Sequence, residues 1–227
     1  MRIRLCLAAL SLAGGAGLAT LSAPSATATA TTAATNAATK AAAACTDVEV
    51  VSARGTFEPG TLGFIVGDPV YSALKKKVTG KSLSSYAVDY PANLLPTSAA
   101  RGNTDLVNHV KSQAAACPNQ RFVLVGYSQG ANVVDNSIGI SSAGAVVGSP
   151  IVATLPAAVE PKVAAVLLFG NPIRALGKSV TGTYQSRTLD ICAKGDPVCE
   201  RGGGDTGAHL SYRDNADEAA TFAAGRL

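Results

Sequence analysis

Residues 122–130 read Phe-Val-Leu-Val-Gly-Tyr-Ser-Gln-Gly, and Ala-Asn-Val-Val-Asp-Asn-Ser-Ile follows at 131–138. Four apolar residues run into a Gly-x-Ser-x-Gly pentapeptide, and the segment behind it has the look of a helix. An apolar strand that turns sharply into a helix is the building unit of a parallel α/β sheet. Glycines on both sides of Ser128 admit a turn too tight for side chains, which leaves the serine hydroxyl exposed at the strand's carboxyl end. The helix that follows aims its positive N-terminus at the same spot. The pentapeptide is short enough to recur by chance, so its meaning depends on the rest of the chain.

On both sides of this unit the same alternation continues. Val48–Ala53 reads as a strand ending at Arg54-Gly55-Thr56. Asp68-Pro69 has the form of a helix start, with Asp68 as N-cap and Pro69 in the first turn. Val70, Leu74 and Val78 give that helix one apolar stripe. Leu83–Tyr90 is a second strand, and Asn103 is placed to cap a helix running to Ala116 with Leu106, Val107 and Val110 on its buried side. Arg121–Gly126 is the third strand. Ser141–Glu160, rich in Gly, Pro and Ser, reads as a long surface loop. Lys162–Phe169 is almost wholly apolar, as expected of a strand covered on both faces. Ser186–Cys192 is a further strand, and Asp214 opens the last helix with Asp217 near its positive end. The pattern predicts an α/β fold: a central, mostly parallel sheet with helices on both faces.

The amino end is of a different kind. Arg2 and Arg4 precede an apolar run from Leu5 to Leu21, and small residues close it with Ala-x-Ala at 26–28 and 28–30. This predicts an export signal over residues 1–30. Residues 31–44, almost all Ala and Thr, predict a disordered lead-in, because they offer little bulk to bury. One catalytic-size domain is expected over 45–227. Removing Arg2, Arg4 and Lys40 lowers the formal charge from +4 to +1. No basic patch with interleaved aromatics is evident, so nucleic acid is not an expected partner. The Lys75-Lys76-Lys77 cluster suits a solvated helix end. No later apolar stretch approaches the roughly 20 residues of a membrane span.

Of five cysteines, Cys6 lies in the signal, leaving Cys45, Cys117, Cys192 and Cys199. An even number in an exported chain predicts two disulfides, and the spacing lacks the paired pattern of a zinc site. Cys45 precedes the first strand and Cys117 the third, so in a parallel sheet both sit along one edge. Cys192 and Cys199 bracket a short loop at the other end of a strand. The expected pairs are therefore Cys45–Cys117 and Cys192–Cys199.

A serine needs a base, and the chain holds two histidines. His109 lies on the helix before the third strand and reads as a surface residue. His209 comes late, in the loop before the final helix, as the chain order Ser, acid, His requires. Among the acids between them, Asp135 turns away on the elbow helix and Asp190 lies within a strand. Glu160 and Glu200 read as surface charges, and Asp205 is too near His209. Asp196 sits just past a strand's carboxyl end in the loop bracketed by Cys192 and Cys199. It is the expected orienting acid. For the oxyanion, the backbone N–H of Gln129 is one donor, and Thr56 after the first strand is placed to be another.

Together these residues resemble the cutinase family of serine esterases, which takes in acetylxylan esterases and actinobacterial cutinase-like proteins. The resemblance rests on the ordered set Arg54-Gly55-Thr56, Gly126–Gly130, Leu168–Pro172, Gly195–Cys199 and His209–Tyr212. It implies an α/β-hydrolase fold and a triad of Ser128, Asp196 and His209. Thr56 and Gln129 would line the oxyanion hole, and the same two disulfides are implied. No cofactor or metal is implied. Thr56 stands where fungal cutinases carry serine, and Ser141–Glu160 is longer than its fungal counterpart, able to shape or cover the acyl groove. The expected protein is a secreted, monomeric esterase acting on cutin, polyester or medium-chain acyl esters. The alternatives are an acetylxylan esterase and a non-catalytic envelope-binding protein on the same scaffold.

Overall fold

The computed structural model describes residues 45–227. The export signal and the Ala/Thr-rich lead-in lie outside the described residues. Five strands form one sheet: β1 (Val48–Ala53), β2 (Leu83–Ala87), β3 (Arg121–Tyr127), β4 (Val163–Phe169) and β5 (Thr188–Ile191). Their spatial order is β2-β1-β3-β4-β5 and every pairing is parallel. Three central strands, β1, β3 and β4, are buried along almost their whole length, which is why they read as unbroken apolar runs.

Among the described residues five α-helices accompany the sheet: α1 (Gly67–Lys77), α2 (Ser98–Ala116), α3 (Gln129–Ser137), α4 (Thr206–His209) and α5 (Ala216–Ala224). Alternation along each strand sends successive side chains to opposite faces. Val51, Leu124, Val166 and Leu168 therefore meet α2 and α3, through Leu106, Val110, Val133 and Val134. Val50, Val123, Val125 and Leu167 meet α1 and α5, through Val70, Leu74, Ala219 and Ala223. The small alanines of α5 let it lie close to the sheet.

Several local expectations shift. Helix α1 begins at Gly67, and Asp68 makes no side-chain cap, so the acid serves the first turn only through its charge. Strand β2 ends at Ala87 instead of Tyr90, although Val88 N–H still reaches Ser52 O at 2.9 Å. Asn103 is not a cap. Helix α2 starts six residues earlier, at Ser98 after Thr97, and the fully buried Asn103 bonds outward from its interior. Its amide donates to Ser137 Oγ and Ala153 O, both at 2.9 Å, and its oxygen accepts Val152 N–H and Ala153 N–H at 3.0 Å. A residue chosen for tertiary hydrogen bonds mimics a capping signal. The last helix starts at Ala216, after a 3₁₀ turn over Tyr212–Asn215, with Asp217 in its first turn.

Two disulfides join the expected partners. Cys45–Cys117 ties the chain before β1 to the chain before β3, and Cys192–Cys199 closes the loop after β5. No helix among the described residues is long and apolar enough to cross a membrane.

Candidate active site

The turn from β3 into α3 places Ser128 at the carboxyl end of the sheet. Its φ of +53° lies in the left-handed region, a conformation strained for a residue with a side chain. The turn is held by Ser128 N–H, which donates to Phe169 O at the end of β4 (2.9 Å). The flanking glycines are steric necessities: a Cβ on Gly130 would sit 1.8 Å from Ala53 O, and one on Gly126 would sit 2.6 Å from Gly130 O.

Ser128 Oγ lies 3.0 Å from His209 Nε2, and His209 Nδ1 lies 2.8 Å from Asp196 Oδ2. A carboxylate only accepts, so Nδ1 carries the proton and Nε2 is left to accept from the serine hydroxyl. His209 is the last residue of α4, a single turn whose N-cap is Asp205 through a bond from Gly207 N–H (2.8 Å). Tyr127 OH donates to His209 O at 2.7 Å, which fixes the histidine backbone beside β3. Asp196 is fully buried within the disulfide-closed loop, and its Oδ1 accepts Val198 N–H at 2.7 Å. The arrangement is a continuous hydrogen-bonded chain, able to draw a proton off the hydroxyl and hold the resulting imidazolium.

The chain opens on a depression of about 300 Å³ walled by Thr56, Phe57, Glu58, Phe64, Ile65, Tyr127, Ser128, His209 and Leu210. Phe57, Phe64 and Leu210, which help to wall it, are 73%, 49% and 59% exposed, so apolar side chains stand free around one opening. No residue of Ser141–Glu160 lines it. That loop is instead pinned against α2 and α3 by Asn103 and by Asn136, whose amide reaches Ser149 O and Oγ at 3.1 Å. A wider depression of about 660 Å³, between Arg174, Lys178, Lys194 and Arg201, includes neither Ser128 nor a histidine in its walls.

Thr56 stands in the segment after β1 and walls the same depression as Ser128. Two buried charged residues that composition alone does not reveal hold this segment. Arg54 donates to Glu58 O (2.9 Å), Val88 O (3.2 Å) and Tyr90 O (2.6 Å). Glu58 accepts Gly55 N–H at 2.6 Å and Ile65 N–H at 2.9 Å. Burial pushes the Glu58 carboxyl up, against the pull of those two donors and of Arg54. Phe57, at φ +66°, is anchored by its N–H to Ala92 O (2.7 Å). Gln129 opens α3, so its N–H is among the first-turn donors without an intrahelical acceptor. Its side chain faces elsewhere: Ser98 Oγ donates to it (3.0 Å) and it donates to Asn93 O (2.8 Å).

The other candidates fall outside this constellation. His109 is not a plain surface residue: it is largely buried, stacks on Tyr86 at 3.4 Å, and puts Nε2 2.9 Å from the buried Glu49. Glu160 pairs with Arg187 at 2.6 Å, and Glu200 accepts Gly195 N–H within its own loop. Asp135 is fully buried on α3, and Asp190 lies in β5 beside Arg174. Residues that sequence reasoning passed over include Arg54, Glu58, Tyr127, Gly170 and Tyr212. All but Glu58 stand inside the quoted motifs, but only folding shows what they touch.

Comparison with known proteins follows the same line. The family model described as Cutinase matches residues 44–227. A cutinase of Kineococcus radiotolerans is 43% identical over 192 residues, covering 81% of this chain and 63% of that longer protein. The carboxylesterase Culp1 of Mycobacterium tuberculosis is 40% identical over 195 residues, with 81% and 82% covered. Among solved structures, a Trichoderma reesei cutinase in complex with a C11Y4 phosphonate inhibitor superposes with a TM-score of 0.64 at 35% identity, covering 79% of this chain and 75% of that one. With a family match that runs through every described residue, the chain belongs to the cutinase family of carboxylic ester hydrolases.

Proposed function

We propose that the protein is an exported serine esterase that hydrolyses apolar acyl or polyester ester bonds through an acyl-enzyme. The observation that carries the reading is the Ser128–His209–Asp196 chain, with links of 3.0 and 2.8 Å, opening on an apolar-rimmed depression. His209 Nε2 takes the Ser128 proton as Oγ attacks the ester carbonyl. The developing oxyanion is met by Gln129 N–H and by the backbone N–H and hydroxyl of Thr56. Protonated His209 then gives its proton to the leaving alcohol. Water, deprotonated by the same imidazole, attacks the acyl carbonyl and restores the serine. Asp196 keeps the imidazole in the tautomer this cycle needs.

Phe57, Phe64 and Leu210 support the substrate class, since exposed apolar side chains around the opening gain by covering an acyl chain. The names of the relatives, cutinase and carboxylesterase, agree with that class. Export rests on the signal read at residues 1–30 together with two disulfides, and a monomer is the proposed working form.

Rates on a series of p-nitrophenyl esters from acetyl to long acyl chains, with a polymeric polyester alongside, test the substrate reading. kcat/KM should rise from acetyl to medium chain length, and the polymer should release soluble acids. Activity confined to acetyl esters would overturn the reading in favour of deacetylation of a carbohydrate.

A further inference from the structure

We infer that Tyr212 is a positioning residue of the esterase reaction, its phenol holding the Asp196 carboxylate in place and sharing the charge with which Asp196 faces His209. The inference rests on the roles proposed above for Ser128, His209 and Asp196. Tyr212 is fully buried in the 3₁₀ turn that follows His209. Its hydroxyl donates to Asp196 Oδ2, the same oxygen that accepts His209 Nδ1–H. It also accepts Ala193 N–H at 3.0 Å and lies 3.4 Å from Cys199 Sγ. One hydroxyl therefore touches the start of the disulfide-closed loop, the acid within it and its end.

The surroundings leave that hydroxyl little freedom. The Tyr212 ring packs edge-on against Tyr127, Phe169 and His209, with centroids 5.9, 6.0 and 6.2 Å away. Asp196, His209 and Tyr127 are the titratable groups that face it, and Cys192 and Cys199 are locked in their disulfide. Burial, with the Asp196 carboxylate beside it, pushes the phenol far above its ordinary range, so it stays a proton donor at working pH.

The physical consequence has a sign. A carboxylate that shares its charge with a phenol attracts the imidazolium less than one whose sole side-chain donor is histidine. Loss of the hydroxyl strengthens the pull on the imidazolium and loosens its direction. It also takes the acceptor from the partly buried Ala193 N–H.

The test is the pH profile of kcat/KM for p-nitrophenyl butyrate with the full-length protein and Tyr212→Phe. Losing a hydrogen bond to a charged group should lower the plateau kcat about 10- to 100-fold, with KM within about twofold. The acid limb should move up by roughly half to one pH unit. Site-specific 3-fluorotyrosine at position 212 keeps the shape and strengthens the donor, so its acid limb should move down. This second arm decides the matter if Tyr212→Phe does not fold. An acid limb fixed in every folded variant overturns the inference, even if the plateau drops, because a merely structural role predicts that pattern. An unvaried protein that neither turns over the ester nor reacts at Ser128 would instead overturn the proposed function itself.

Discussion

At the scale of single residues, the site depends on places where a side chain is excluded as much as on those where one acts. Gly170, just past β4, has φ +54°, and a Cβ there would meet His209 Cε1 at 2.9 Å, Tyr212 Cε2 at 3.0 Å and Asp196 Oδ2 at 3.1 Å. Three of the groups proposed to run the reaction, or to support it, crowd around one missing methyl. Gly170→Ala should therefore displace the imidazole and its acid together, lowering kcat/KM on a soluble ester about 100-fold while near-UV dichroism still reports a folded core. Unchanged kinetics would contradict this placement. Gly170 was visible in the sequence as part of Leu168–Pro172, but nothing local marked what it faces. Ser128, Asp196 and His209 were legible for opposite reasons. The serine carries its own turn chemistry, the histidine had one competitor, and the aspartate sat between cysteines.

At the scale of elements, the strands were legible because β1, β3 and β4 are buried on both faces and need continuous apolar side chains. Helix starts were less so. Asn103 and Asp68 have the right chemistry for caps, yet the first bonds across to the chain at 152–153 and the second makes no cap bond. Helix α3 also hides a feature with a measurable consequence. Asp135 is fully buried, and neither carboxyl oxygen has a hydrogen-bond partner among the described residues, while the neighbouring Asn171 amide donates to Asp190 Oδ2 (3.2 Å). Burial, with Asp190 nearby, pushes Asp135 well up, and burial raises Asp190 to about 6. An acid raised in the fold contributes stability at low pH, and that contribution is lost as pH rises through its folded value. Asp135→Asn removes the charge that must be buried. Its stability relative to the unvaried protein should climb with pH, to a gain of about 1–3 kcal/mol near pH 8 and close to none near pH 4. Urea unfolding at both pH values checks this, and a gain that shrinks with rising pH would contradict it.

At the scale of the whole molecule, the two disulfides divide the labour. Cys45–Cys117 spans 72 residues and ties two strand starts, worth about 4 kcal/mol in the chain-entropy model. Cys192–Cys199 spans seven and shapes the loop that carries Asp196. Both pairings could be reasoned from strand order, since a parallel sheet puts all strand starts on one edge. The buried framework of Arg54, Glu58 and Tyr212 could not, because its partners come from distant segments brought together only by the fold. All of it converges on one claim, that Ser128 is an activated nucleophile. Reaction with a fluorophosphonate probe, followed by peptide mass mapping, measures this directly. The account predicts a covalent adduct on Ser128, and neither adduct nor ester turnover in Ser128→Ala. A folded protein whose Ser128 stays unmodified, or a Ser128→Ala variant that keeps its esterase rate, would contradict it.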